Sequence, residues 1–361
     1  MSGETFEIFT KVFLKCLKLS ELDIGIEQPL NKREKFVKFL KTFKFAMIVV
    51  INALILTSMI AYVLSHSGLL EAIIDLAHFC SIYYSIFRII SIFTQRHKVA
   101  EVLSELKELL GTKRDLKASK KFVLYQILMI ASSAIMYIAI LGHYITTYIR
   151  FGTTKLPFDM WIPFEYTDCR VYAAMILLSS WTSCHFINIT LGLDLLFSAI
   201  VTMITIEFND LNFEIKRLGE FDTDDDIKVL AERHIRILNL TENMKKCFCA
   251  SYSFNFLQSV ITISLIGFHV TVNDAVDLMI YTPYFLLTLF QIFRLCTLGQ
   301  NLKDASSNTS YAAYCCDWTR FKTVARRKSI LSLSTRAGKA STLKVFEFHV
   351  ISLETFTAVS N

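Results

Sequence analysis

Apolar residues are concentrated in six runs of this 361-residue chain, at 45–65, 69–93, 122–149, 171–206, 247–272 and 278–298. The runs contain 157 residues but only five of the 70 charged residues, whereas a soluble core needs polar positions interleaved with apolar ones. Runs of about 20 apolar residues match the hydrocarbon thickness of a bilayer, where helices satisfy their own backbone. The pattern predicts an all-α polytopic membrane protein and excludes a soluble globular enzyme.

The basic residues predict how these spans are oriented. Segments 1–44, 94–121, 207–246 and 299–341 contain 32 Lys and Arg residues, whereas the alternate segments between spans contain three. Cytoplasmic loops retain positive charge, so the bias predicts a cytosolic N-terminal segment at 1–44 and cytosolic loops at 94–121 and 207–246. Segment 299–340 is then a cytosolic loop or anchor helix of a multi-pass membrane protein.

Two segments depart from a simple span. The run 171–206 would reach about 54 Å as a helix, and an amphipathic period continues through 207–218. We therefore expect a helix that extends beyond the membrane into the cytosol. Segment 341–361 is weaker because it contains Lys344 and Glu347, and it is expected to form a partial seventh helix.

Five charged residues lie within the apolar runs. Arg88 and Arg294 lie near the inner ends of their spans and are predicted to snorkel towards water, with Asp194 at the inner interface. Glu71 and Asp75 are four residues apart, so they share one helix face near the outer end of the second span. One interpretation is that both carboxylates are simply solvated at the membrane interface. The alternative is that they form a polar rim around an opening at the outer end of the bundle.

The outer halves of the second, third and fourth spans are aromatic and apolar, which suits a pocket for a small apolar ligand. The alternative is plain helix packing, with Tyr and Trp at the membrane interface. The candidate ligand-binding residues are Phe79, Tyr83, Met136, Tyr137, Ile140, Tyr144, Leu177 and Trp181.

The sequence offers no catalytic machinery. It lacks the P-loop, dinucleotide-binding, nucleophile-elbow and zinc-protease motifs, and its eight histidines are scattered. Its nine cysteines include no C-x-x-C pair. No basic stripe with interleaved aromatic residues is present. We therefore expect no enzyme, no cofactor, no metal site and no nucleic-acid partner, and a surface that contacts membrane lipid.

Several stretches between and after the spans form a recognisable series. They are LPFDMWIPFEY (156–166), LGLDLLFSAI (191–200), FNDLNFEIKRL (208–218), ERHIRILNLTENMKKCF (232–248), LGQNLKDASSNTSYAAYCCDW (298–318), RRKSILSL (326–333) and STLKVFEFHVISLETF (341–356). In this order they resemble the insect odorant receptor family, and the resemblance covers nearly the whole chain.

The resemblance implies a seven-helix subunit with a cytosolic N-terminus and cytosolic helix extensions. It implies the odorant-binding subunit of a ligand-gated nonselective cation channel, a tetramer formed with the odorant receptor co-receptor in the dendrites of olfactory neurons. The ligand would be a small volatile apolar odorant. Loop 207–246 lacks the long insertion of the co-receptor, so the protein resembles a tuning receptor. Family members continue for about half a helix beyond 352–356, so the seventh helix is expected to be incomplete and the protein truncated at its C-terminus.

Three other classes of membrane protein compete with this interpretation. A G-protein-coupled receptor expects an external N-terminus, D-R-Y after the third span and N-P-x-x-Y in the last span, and the sequence contains neither motif. A transporter would show internal repeats and helices interrupted by Gly or Pro. No internal repeat is visible, and the 11 Gly and 4 Pro residues are too few for such interruptions. A gustatory-type ligand-gated channel subunit and a G-protein-coupled receptor remain the open alternatives.

Overall fold

Long helices make up most of the computed structural model, which describes residues 32–65, 69–109, 116–154, 156–157, 161–162, 168–219, 224–272, 275–321, 323–346 and 348–360. The helices are α1 (Lys32–Ser65), α2 (Leu69–Thr94), α3 (Arg96–Leu109), α4 (Leu116–Phe151), α5 (Cys169–Lys216), α6 (Asp224–Val272), α7 (Ala275–Cys315), α8 (Val324–Ala337) and α9 (Leu353–Ser360). A 3-10 turn (Trp318–Arg320) and two strands, β1 (Lys344–Val345) and β2 (His349–Val350), complete the described elements. The predicted all-α fold is confirmed.

Several described helices are suited to a membrane. Ile130–Phe151, Cys169–Lys216 and Asp225–Phe268 are long and apolar enough to cross one, and Val49–Tyr62 and Cys80–Thr94 are shorter apolar helices. The predicted run 278–298 lies within α7. Its crossing of the bilayer, like the boundaries of the cytosolic segments, stays a prediction.

The fourth span continues as predicted into one helix, because α5 has 48 residues without a break. That its inner part lies in the cytosol stays a prediction. Asp168 begins it by accepting a hydrogen bond from the backbone N–H of Arg170 at 3.1 Å. The helix is about 72 Å long, more than twice the hydrocarbon thickness of about 30 Å. Its inner half is buried against α6 and α7, so the three longest helices share one core.

A short helix lies within the predicted loop 94–121. The buried residues of α3 are Val99, Val102, Leu106 and Leu109, which recur every three or four positions and therefore form one apolar stripe. The stripe packs against α5 and α6, so this segment belongs to the inner core.

The helix prediction for the start of segment 341–361 is wrong. Strands β1 and β2 pair antiparallel there, with Lys344 opposite Val350, and the turn between them holds Phe346 at a φ of 45°. The hairpin docks on α6, because the Phe346 N–H donates to Ser253 Oγ at 2.9 Å. Helix begins only at Leu353, in α9. The surface of α6 provides a hydrogen-bonding partner for the hairpin. A membrane-spanning helix would instead bring the charged Lys344 into lipid, so the hairpin is favoured.

The segment beyond the hairpin approaches α7 at a glycine. A Cβ added to Gly299 would collide with the backbone carbonyl oxygen of Ile351. Glycine therefore allows α7 and the segment leading into α9 to pack closely, which fixes α9 against α7.

Candidate functional site

An apolar cavity of about 100 Å³ lies between α1, α2, α4, α5 and α7. Its wall is mostly hydrocarbon and aromatic, with a few hydroxyl, amide and imidazole groups. The lining residues are Asn52, Ile55, Met59, Ser81, Ile82, Met136, Ala139, Ile140, His143, Ser179, Thr182, Ser183, Phe186, Tyr281 and Tyr284. Such a composition suits a small apolar molecule with one or two polar groups.

The polar groups of the wall are held in fixed positions. Ser81 Oγ lies 3.0 Å from the Tyr284 hydroxyl, and Gln258 Nε2 donates to Ser81 Oγ at 3.1 Å. Thr182 and Ser183 each donate to the backbone carbonyl of Ser179, both at 2.9 Å. A hydroxyl that donates in this way keeps its oxygen lone pairs as acceptors. The wall can therefore accept a hydrogen bond from a ligand hydroxyl.

The loop between α4 and α5 is tied to the same region. The Trp161 N–H donates to the Ser58 carbonyl at 3.1 Å, and the Ser58 hydroxyl donates to the Trp161 carbonyl. On the cavity wall, His143 Nε2 lies 2.7 Å from the Pro157 carbonyl. Helices α1 and α4 thus both hold the loop, and α4 does so through a side chain that lines the cavity.

The structure brings two of the predicted ligand residues to this cavity, Met136 and Ile140. Tyr137 instead donates from its hydroxyl to the Cys184 carbonyl at 3.3 Å. Tyr144 is buried, with its hydroxyl beside the serines of α5 that include Ser179. Both tyrosines therefore join α4 to α5 near the cavity.

Three other predicted residues lie elsewhere. Tyr83, Leu177 and Trp181 are 51%, 70% and 44% exposed, so they face outward from the bundle. The side chain of Phe79 falls outside the described residues. Hydropathy places residues along a span but does not fix the rotation of a helix whose whole surface is apolar. Whether any of the eight residues binds a ligand stays a prediction.

Sequence reasoning missed the walls that α1 and α7 contribute. Met59 from α1 and Tyr281 and Tyr284 from α7 line the cavity. Two features of the sequence could have indicated these walls. Asn52 is a polar residue within the apolar run 45–65, and the two tyrosines are three positions apart and so lie on one helix face.

A cluster of buried charges lies deeper in the bundle, centred on Asp194 of α5. Arg88 of α2 donates to its Oδ1 at 2.6 Å, and Arg294 of α7 donates to its Oδ2 at 2.8 Å. Gln291 also donates to Oδ2, at 3.1 Å, and Arg88 Nε donates to Ser251 of α6 at 3.0 Å. One polar network therefore joins four helices, and we refer to Arg88, Asp194, Gln291 and Arg294 as the charge cluster.

The charge cluster corrects the prediction that both arginines snorkel towards water. Arg88, Asp194 and Arg294 are only 2%, 5% and 4% exposed. Snorkelling uses the length of one side chain to reach solvent, whereas here a carboxylate from another helix supplies the counter-charge. The cluster carries two positive charges and one negative charge. Because the ions are desolvated, removing one partner of such a buried pair costs about 3–5 kcal/mol.

A second cavity shares lining residues with both the apolar cavity and the charge cluster. It has a volume of about 80 Å³, and Asp194, Gln291 and Arg294 line it. Met136 and Phe186 line both this cavity and the apolar cavity above it. Two side chains therefore contact the apolar cavity on one side and the space beside the charge cluster on the other.

The adjacent cysteines at the end of α7 differ in environment. Cys315 is exposed, whereas Cys316 is buried, and burial raises the pKa of the Cys316 thiol. A raised pKa keeps the thiol protonated and unreactive. Within the described part of the protein, no cluster of three or more His, Cys, Asp or Glu residues could hold a metal ion.

The structure is that of a multi-pass, all-α membrane protein whose helices enclose an apolar cavity. The sequence profile of the 7tm Odorant receptor family matches residues 68–361. The chain therefore belongs to the odorant receptor family. The family that this profile describes is one of receptors.

Similar sequences come from insects. A candidate odorant receptor of Drosophila melanogaster, 85d, is 25% identical over 95% of this chain and 89% of its own length. Odorant receptor 85c of the same species is 27% identical over 58% of this chain and 55% of its own length. The odorant receptor coreceptor of Aedes aegypti is 28% identical, but over only 37% of this chain and 28% of its own length. The similarity pattern fits a tuning receptor better than a co-receptor.

The fold is also that of a solved insect olfactory receptor. OR5 from Machilis hrabei matches with a TM-score of 0.86 and 14% identity, covering 98% of this chain and 95% of that chain. The structure of OR5 in complex with eugenol matches with a TM-score of 0.85 and 13% identity, covering 98% and 96%. These matches confirm the predicted membrane-receptor fold.

Proposed function

We propose that this odorant receptor is the odorant-binding subunit of a ligand-gated cation channel, and that the odorant binds in the apolar cavity. The observation that carries the proposal is the cavity itself, which combines a hydrocarbon wall with fixed hydroxyl groups at Ser81 and Tyr284. A volatile molecule is small and mostly apolar, with few polar groups that can form hydrogen bonds. An apolar wall with a few fixed hydroxyl groups therefore matches its chemistry.

The cavity sets the size of the ligand. A dry cavity of about 150 Å³ is known to accept benzene, so a cavity of about 100 Å³ suits a ligand of similar size if a side chain moves. Met136 is suited to that movement because its unbranched side chain adapts to irregular space. Eugenol, which is bound in the solved OR5 structure, is larger than benzene and therefore tests how far the cavity can expand.

Of the remaining predicted residues, Tyr137 and Tyr144 are proposed to act indirectly. Both join α4 to α5, the two helices that contribute most of the cavity wall. A ligand that separates these helices would strain those contacts and so change the balance between closed and open states. The outward-facing Tyr83, Leu177 and Trp181 are proposed to contact lipid or a neighbouring subunit.

We further propose that the channel is a hetero-tetramer with the odorant receptor co-receptor. Similarity to coreceptor sequences over about a third of the chain supports a shared mode of assembly. The distribution of Lys and Arg supports a cytosolic N-terminus. Membership of the odorant receptor family supports a location in the plasma membrane of olfactory neuron dendrites. An antibody that detects a tag at Met1 in intact, unpermeabilised cells would contradict this orientation.

The test is co-expression with the co-receptor and recording of cation current during exposure to a panel of odorants that includes eugenol. The informative change is Ile140→Trp, which fills the cavity. The matched control is Ile138→Trp, two positions away on the same helix and 69% exposed. We expect the cavity variant to lose at least about tenfold in odorant sensitivity, because an overpacked site excludes the ligand.

Two results would count against the proposal. Equal sensitivity of the Ile140→Trp and Ile138→Trp channels, with equal surface expression, would place the ligand elsewhere. A current that disappears when G-protein signalling is blocked would favour the G-protein-coupled alternative, because a ligand-gated channel needs no such intermediate.

A further inference from the structure

A third cavity, larger than the two described above, lies at the other end of the molecule, between the first turns of α6 and the face of α8. Its volume is about 380 Å³, within the range of about 300–1,000 Å³ that small-molecule sites occupy. Nothing in the odorant-binding role uses this space, and its lining differs in chemistry from that of the apolar cavity.

The charged residues that line this cavity are all positive. They are Lys228 of α6 and Arg326 and Arg336 of α8, and no carboxylate is among the described lining residues. On α8, Arg326, Ser329 and Arg336 are three and seven positions apart, which places them on one helix face. The face therefore presents guanidinium groups and a hydroxyl to the same space.

Neighbouring cations have carboxylate partners, whereas two of the cavity's cations do not. Arg233 pairs with Glu207 at 2.7 Å, and Arg236 pairs with Glu108 at 2.6 Å. By contrast, Lys228 and Arg336 have no ion-pair partner among the residues that the structure describes. Their positive charge is therefore not balanced by the described protein groups on the cavity wall.

A buried histidine gives a second, independent indication of a ligand. His234 lines the cavity and is 1% exposed, and its Nδ1 has no hydrogen-bond partner in the described structure. Leaving a buried polar nitrogen without a partner costs about 1–3 kcal/mol. The orphaned nitrogen is explained if an external group completes the site.

We propose that this cavity binds a multiply phosphorylated inositol group, either free in the cytosol or as the headgroup of a membrane lipid. Several phosphates match the cations that line one space, and the hydroxyls of Ser329 and Ser332 suit the hydroxyls of a polyol ring. Basic pockets at the cytosolic ends of membrane helices bind such headgroups through the same chemistry. Access to cytosolic phosphates rests on the proposed orientation, but binding to the purified protein does not.

The binding test uses the full chain, assembled with the co-receptor in nanodiscs of phosphatidylcholine. Labelled inositol 1,4,5-trisphosphate is the soluble probe. The test variant is Lys228→Gln with Arg336→Gln, and the control is Lys245→Gln with Arg320→Gln, which removes the same charge from paired cations outside the cavity. We expect the test variant to bind at least about tenfold more weakly than wild type and the control variant to bind within about twofold.

A second arm identifies the source of the group. Phosphatidylinositol 4,5-bisphosphate replaces part of the phosphatidylcholine, and the soluble probe is titrated again. Weakened probe binding shows that the lipid headgroup reaches the cavity, whereas unchanged binding identifies the free inositol phosphate as the ligand; both support the site.

Two results would overturn the proposal. One is the absence of saturable probe binding to the wild-type complex, combined with no effect of the lipid on its thermal unfolding. The other is equal binding by the test and control variants. Odorant-evoked current, recorded from the same variants, reports separately on folding and on the odorant-receptor function.

Discussion

The apolar cavity and the charge cluster lie in the same helix bundle but are built on opposite principles. The cavity has an open, mostly hydrocarbon wall, and its few polar groups form neutral hydrogen bonds within a helix, to a neighbouring helix or to the loop before α5. The charge cluster fills its space with ions that bond across four helices. The apolar cavity leaves space for a small molecule, whereas the charge cluster fixes the helices relative to one another. The same helices therefore have an adaptable region at the cavity and a rigid region at the charge cluster.

The largest effect is expected at the centre of the rigid region. Changing Asp194→Asn removes the one carboxylate that two buried guanidinium groups share, leaving their charges uncompensated. We expect a loss of about 3–5 kcal/mol in stability, seen as poor surface expression and a lower unfolding temperature in detergent. Asp317→Asn is the control, because its pair with Arg320 is exposed and worth about 0–1 kcal/mol. Equal behaviour of the two variants would show that the cluster is not a structural clamp.

Two helical glycines, one tightly packed and one in open space, allow the effect of an added methyl group to be compared. Gly299→Ala should destabilise the protein by about 1–3 kcal/mol, because the new methyl group meets the Ile351 carbonyl and the backbone must shift. Gly142→Ala in α4 should be neutral or stabilising by up to about 1 kcal/mol, because nothing lies within 4 Å of the added Cβ. Thermal unfolding of both variants checks the pair. A neutral Gly299→Ala would show that the segment after the hairpin packs loosely on α7.

The smallest effect is expected in the adaptable region. Ala139→Ile adds methylene groups to the cavity wall and should change stability by less than about 1 kcal/mol, because the space is already there. The same substitution at Ala199, which is fully buried in α5, should cost about 1–3 kcal/mol through overpacking. Unfolding temperatures and odorant dose–response curves together test this contrast. If Ala139→Ile destabilises as much as Ala199→Ile, the cavity is not an available space.

The positions of the helices along the sequence could be predicted, because apolar runs and basic clusters are local signals. The continuous helix α5 follows from the amphipathic period that continues past 206. The stripe of α3 was also readable, since Val99 and Leu106 are a heptad apart. These features depend only on neighbours within a few turns.

Features that depend on helix rotation or on distant contacts could not be predicted in the same way. Leu177 and Trp181 were placed at the right depth for a pocket but face outward, because hydropathy does not distinguish lipid from protein. Arg88, Asp194 and Arg294 are separated by about a hundred residues each, so only the fold shows that they meet. The hairpin around Phe346 depends on the surface of α6, which no local pattern reveals.

The single helix α5 has a mechanical consequence. Phe186 lies on this helix beside the apolar cavity, and Asp194 lies on it in the charge cluster. Further inward, Asn212 donates to the Ala305 carbonyl at 2.9 Å. Asp194 lies near the middle of this helix, where Arg88 and Arg294 hold it to two other helices. If the outer half of α5 tilts about Asp194, the inner half must move in the opposite direction, because the helix is continuous. No chain of side-chain contacts is needed to transmit the movement.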